Sequence, residues 1–170
     1  MYFINLLKKA FQSLKPISMA ALLVAFMQSG CLIQDDHDDH DHGAHMDAVG
    51  LVIKDAAFKE VFRVFEGKTD DTLYAPSEGT SDHYTITFLE KDLSEVPEAE
   101  LEGKTLAWDI ADTSLFSIWQ HEGEEGGFEF HFKGKGKTGS TTIVFKVMHG
   151  DHADFKTPAI AVVVSGLNEQ

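Results

Sequence analysis

From Gly50 onward the apolar residues of this chain recur at every second position, in short runs that turn residues interrupt. Tyr84, Ile86 and Phe88 alternate with Thr85 and Thr87, and Phe128, Phe130 and Phe132 alternate with Glu129 and His131. A period of two puts one set of side chains on one face of a pleated strand, whereas a helix needs apolar residues three and four apart. The pattern predicts eight short strands, at residues 50–54, 60–65, 83–89, 106–110, 115–121, 128–133, 141–149 and 159–165. No long segment of helical period competes with them. Residues 93–101 contain Pro97 and read as an acidic loop. Many short strands separated by turn residues predict an all-β antiparallel sandwich over residues 48–170.

Residues 1–30 differ in kind. Lys8, Lys9 and Lys15 precede an apolar run at 19–27, which is short for a membrane span and has the length of a signal-peptide core. Gln28, Ser29 and Gly30 then lead into Cys31, the single cysteine. Small residues before a cysteine resemble the lipobox of bacterial lipoproteins, with Gln28 standing where an aliphatic residue is usual. The resemblance implies that 1–30 is a lipoprotein signal peptide and that Cys31 becomes the first residue and carries acyl chains such as palmitate. Leu32 after it resembles outer-membrane sorting, and the acidic stretch from Asp35 resembles surface-export signals of some bacterial phyla, so either face of the outer membrane stays open. A signal anchor with an ordinary buried cysteine is the alternative. One cysteine makes no internal disulfide, but a lipid anchor needs only one.

The next stretch, 31–47, reads as a flexible tether, because like charges repel and no apolar periodicity is present. Its chemistry is specific all the same. His37, His40, His42 and His45 are interleaved with Asp35, Asp36, Asp38, Asp39 and Asp41, a mixture of imidazole and carboxylate that suits zinc, copper or nickel. A flexible chain loses conformational entropy on wrapping an ion, so moderate affinity and fast exchange are expected. The competing reading is a soluble spacer.

The second half of the domain resembles bacterial immunoglobulin-like domains. The run from Trp108 through Asp109, Ile110, Ala111 and Asp112 to Ile118 matches their strand tryptophan, short turn and following strand. Lys133, Gly134, Lys135, Gly136 and the Thr-rich strand to Phe145 match their Gly-rich turn, and Pro158 to Val164 matches their closing strand. The likeness covers roughly residues 105–165 and implies a fold; such domains serve adhesion, spacing and ligand binding alike. Trp108 is expected in the core. The whole chain also resembles bacterial lipoproteins with a His/Asp-rich start and a terminal segment like His152, Ala153, Asp154 and Phe155, which look like metal-handling proteins.

Five further histidines lie in the domain. If Phe116, Ile118, Phe128, Phe130 and Phe132 face the core across a hairpin, alternation turns Trp119, His121, Glu129 and His131 to the opposite face. A register that pairs His121 with Glu129 also pairs Trp119 with His131, and it brings His121 and His131, with Glu129 as a further ligand or supporting carboxylate, within reach of a shared ion. His149 and His152 flank Gly150, with Asp151 and Asp154 as oxygen ligands or as acceptors that orient an imidazole. The boldest expectation is one site built from His121, His131, His149 and His152. His83, with Asp82 beside it, reads as surface.

Charge excludes other classes. The chain carries 14 basic and 28 acidic residues; Lys8, Lys9 and Lys15 precede Cys31 and no acid does, which leaves 11 against 28, a net −17 after cleavage. Such a surface repels nucleic acid and attracts cations. No Gly-x-Ser-x-Gly elbow, phosphate loop or His-Glu-x-x-His helix is present, so no catalysis is expected. The function expected is capture, buffering or delivery of a divalent transition metal, zinc first and copper or nickel next. A metal-uptake receptor of the outer membrane would be the partner. The competing expectation is an immunoglobulin-like surface or adhesion module on a stalk.

Overall fold

The computed structural model describes residues 46–69 and 71–166. Along them run β1 (Gly50–Lys54), β2 (Glu60–Phe65), β3 (Leu73–Pro76), β4 (Tyr84–Leu89), the 3₁₀ turn η1 (Glu98–Leu101), β5 (Lys104–Ile110), β6 (Phe116–Trp119), β7 (Glu129–Gly134), β8 (Gly139–His149), β9 (His152–Lys156) and β10 (Ile160–Ser165). The first sheet has the order β2-β1-β4-β7-β6, with every neighbour antiparallel. The second has the order β3-β10-β8-β5, and β9 folds back on the end of β8. All its pairs are antiparallel but one: β10 runs parallel to β3, with Val162 opposite Leu73.

The two inner faces are filled by the alternating residues that the sequence singles out. Phe116, Phe130 and Phe132 are fully buried from the first sheet, and Ile143, Phe145, Val147, Ile160 and Val162 from the second. Edge-to-face ring pairs join them, with Phe116 and Phe132 centroids 5.4 Å apart. Such offset pairs add to the burial of apolar area itself. Met46, which falls within the stretch 31–47 expected as a flexible tether, is buried in this core.

Two expectations are corrected and a third is refined. Two strands come in addition to the eight, β3 and β9, and both are short and polar or proline-bearing. Trp108 is half-buried at the margin of the core, because β5 is an edge strand, and phenylalanines occupy the centre. The acidic stretch 93–101 is a loop, but it closes on the 3₁₀ turn η1 directly after Pro97.

The link from β3 to β4 sets up the site. After β3 the chain leaves the second sheet and runs beside β7: Gly134 N donates to Gly79 O at 2.9 Å, and Ser81 N donates to Phe132 O at 2.8 Å. The two segments press together at Gly134, where a Cβ would lie 2.3 Å from the Ser77 carbonyl carbon. Only glycine fits that approach. Thr80 pairs with Lys133 and Tyr84 with Phe130, so 81–83 oppose 131–132 with one residue in excess. That surplus residue makes a β-bulge, a device that re-aims the side chains it carries.

Candidate metal centre

The β6–β7 hairpin has the register that the phenylalanine stripe requires: Phe116 opposite Gly134, Ile118 opposite Phe132, and Trp119 opposite His131. With Phe130 and Phe132 buried, Glu129 and His131 face outward, and Trp119 is 39 % exposed beside them. The Gln120 side chain ties the loop beyond β6 to the hairpin. Gln120 donates through Nε2 to the carbonyls of Gly127 and Glu129, both at 2.8 Å, and accepts from Gly126 N through Oε1 at 2.9 Å. His121, next in the chain, is thereby fixed over His131.

The two imidazoles meet at their Nε2 atoms, 3.2 Å apart, with ring centroids separated by 5.1 Å. His131 Nδ1 lies 3.0 Å from the Ser81 carbonyl oxygen. A carbonyl only accepts, so Nδ1 carries the proton and Nε2 of a neutral His131 presents a lone pair. A backbone carbonyl that fixes the tautomer in this way is the usual outer support of a metal-binding histidine. Without an ion, the same spacing serves a hydrogen bond from His121 Nε2–H to that lone pair. The Trp119 ring lies 4.6 Å from the His121 ring and 5.1 Å from that of His131.

His83 is not an isolated surface histidine, and this corrects the expectation from sequence. The bulge brings its ring to 5.1 Å from His131 and 6.3 Å from His121, and its Nε2 lies 3.1 Å from Glu129 Oε2. Below it, burial pushes the Tyr84 phenol above the ordinary tyrosine range, and Asp82 and Asp55 push in the same direction. No sequence signal marked His83, since a bulge arises only from the pairing of two distant segments.

The remaining histidines form a second group on the other sheet. β8 and β9 join through Gly150 and Asp151, with His149 opposite His152 and Gly150 at φ 60°. His149, His152 and Asp154 offer ligand atoms all within 4.8 Å of one another, and among the described residues they are the group of three that meets this spacing. The Asp154 side chain is fully buried, accepts from Lys104 Nζ at 2.5 Å, and lies 3.0 Å from His152 Nε2 through Oδ1. His149 Nδ1 is 3.8 Å from Asp154 and is buried without a hydrogen-bond partner. Asp151 is fully exposed, 3.7 Å from His152 Nδ1. The buried Lys104 ammonium pairs with the Asp154 carboxylate through Oδ2, while Oδ1 faces His152.

The expected single site from His121, His131, His149 and His152 is therefore divided. β8 lies between β5 and β10 in the second sheet and does not neighbour the hairpin, so His149 and His152 pair with each other. Cys31, His37, His40, His42 and His45 lie outside the described residues.

No protein-family model matches the chain, and no curated protein matches it. Among solved structures it is similar to domains 4 and 5 of the S-layer protein SbsC, at 16 % identity and a TM-score of 0.36. The match covers 57 % of this chain and 49 % of that one, about half its length.

Proposed function

We propose that the domain is the folded metal-binding part of a lipid-anchored outer-membrane protein that captures a divalent transition metal and passes it to an uptake receptor. Zinc is the first candidate; copper and nickel suit the same donors. The observation that carries this reading is the His121–His131 pair. Two ligands at about 2.0–2.1 Å from a tetrahedral zinc lie about 3.3 Å apart, and the two Nε2 atoms are 3.2 Å apart. His131 is held in the tautomer that a ligand needs, and its partner is exposed, which favours exchange over permanent retention.

The rest of the molecule supports the same chemistry. An excess of 14 acidic over basic residues raises the local concentration of cations, and imidazole discriminates against calcium and magnesium, which prefer all-oxygen shells. The tail histidines His37, His40, His42 and His45 would act as a first, labile collector, tethered through Cys31.

Equilibrium dialysis against zinc tests the reading. The full chain with His37, His40, His42 and His45 replaced by serine should retain a saturable site, and adding His131→Ala should remove it. Zinc binding unchanged by His131→Ala would overturn the assignment. Failure of both the intact and the serine-substituted chain to bind would leave a sheet module on a stalk, the adhesion alternative.

A further inference from the structure

We infer that His83 is the third nitrogen ligand of this site, delivered by the β-bulge and held by Glu129 until an ion arrives. The inference rests on the metal-binding reading of His121 and His131 and names the shell that completes it.

Two imidazoles alone make a weak and unselective site, since a divalent ion keeps two or more further positions for water. The first sheet supplies what is missing. The β-bulge at 81–83 is tied to β7 on both sides: His131 Nδ1–H donates to Ser81 O, Phe132 N donates to Ser81 Oγ at 2.9 Å, and Tyr84 pairs with Phe130. Ser81, which fixes the tautomer of His131, thus stands two residues before His83 on the same bulge. The element that orients one ligand also delivers the other. A regular strand would have no residue to spare at this point.

His83 is not yet in place. Its Nε2 faces Glu129 Oε2 at 3.1 Å, and its ring centroid stands 6.3 Å from that of His121, farther than the 5.1 Å that separates His131 from either. The Glu129 side chain is 52 % exposed, so its contact with His83 is a screened surface pair that a metal–nitrogen bond readily replaces. A modest rotation of His83 towards the His121–His131 pair exchanges the carboxylate for the ion. Glu129, on the same face, then remains beside the site as an acceptor for metal-bound water. Three neutral imidazoles with one open position suit copper(II) or zinc, and they disfavour magnesium and calcium.

Trp119 makes the inference measurable. Its ring lies within about 5 Å of two ligand rings, and copper(II) quenches an indole at such range, whereas zinc does not. The full chain with serine at His37, His40, His42 and His45 is titrated with copper(II), with Trp119→Phe identifying the signal, because Trp108 is the one other tryptophan. Saturable quenching of Trp119 is expected. His83→Ala should raise the copper Kd at least about tenfold, as lost support around a metal commonly does, and should reduce the nitrogen ligands seen by electron paramagnetic resonance from three to two. An unchanged Kd with the nitrogen count also unchanged would overturn the inference and leave the two-histidine site standing. No quenching in the starting protein, together with no zinc uptake, would overturn the metal reading itself. Imidazole NMR of the chain with His83 intact guards against a variant that misfolds: on adding zinc, the His83 ring signals should shift together with those of His121 and His131. A His83 signal that stays put while the other two move would equally remove it from the shell.

Discussion

Among the described residues, Lys104 and Asp154 form an ion pair whose side chains lie inside the fold, 2 % and 0 % exposed. Removing one member of such a pair leaves the other charged and desolvated, so Lys104→Met should destabilise the domain by about 3–5 kcal/mol in urea denaturation. Lys104→Met combined with Asp154→Leu should recover much of that loss, because an apolar pair needs no compensation. Sequence pointed to Asp154 as a ligand candidate but not to its partner: Lys104 lies 50 residues away, and only the pairing of β5 with β8 brings the two together. Tyr84 gives a second residue-scale test. Its phenol ionises less readily in the fold than in the unfolded chain, so the folded form retains the proton as pH rises past the ordinary tyrosine value, about 10. Stability is then complete below that value and declines above it. Tyr84→Phe should flatten the alkaline limb of a stability–pH curve, and an unchanged limb would show that other groups are responsible.

Among the elements, the β6–β7 hairpin was the most legible, because Phe128, Phe130 and Phe132 admit one facing and that facing determines the register of Trp119 and His131. Gln120 was not legible. Nothing in its type announces that its carboxamide substitutes for three rungs of a ladder that stops at Trp119. Gln120→Ala should cost about 1–2 kcal/mol of stability, at roughly 0.5–1.5 kcal/mol for each hydrogen bond with partial replacement by water. It should also weaken metal uptake by freeing His121. A calorimetric titration that finds full affinity in Gln120→Ala would show that the loop orders itself without that side chain. β3 escaped notice for a different reason. Four residues ending in Pro76 carry little alternation, and their partner β10 is parallel and distant in sequence. β9 escaped because His152, Ala153, Asp154, Phe155 and Lys156 contain a single large apolar residue, which reads as a loop until Val147 is placed opposite Phe155.

At the scale of the whole molecule, the proposed metal site would couple binding to folding. An ion that binds the folded form and not the unfolded one adds RT ln(1 + [L]/Kd), about 2.7 kcal/mol at a hundredfold excess over Kd. The chain with serine at the four tail histidines should therefore melt at a higher temperature in zinc than in chelator, and His131→Ala should erase the difference. Equal melting temperatures in both solutions would mean that the domain holds no ion. The position of β10 carries a consequence for the order in which the second sheet can close. The last strand among the described residues is an interior strand of the second sheet, flanked by β3 from early in the sequence and by β8 from late in it. Until Ile160–Ser165 has emerged, neither partner can close, and the earlier part of the chain presents unpaired strand edges. Closure of the second sheet therefore waits on the segment farthest along the described chain, although the strand it must meet on one side, β3, lies near the beginning of the domain.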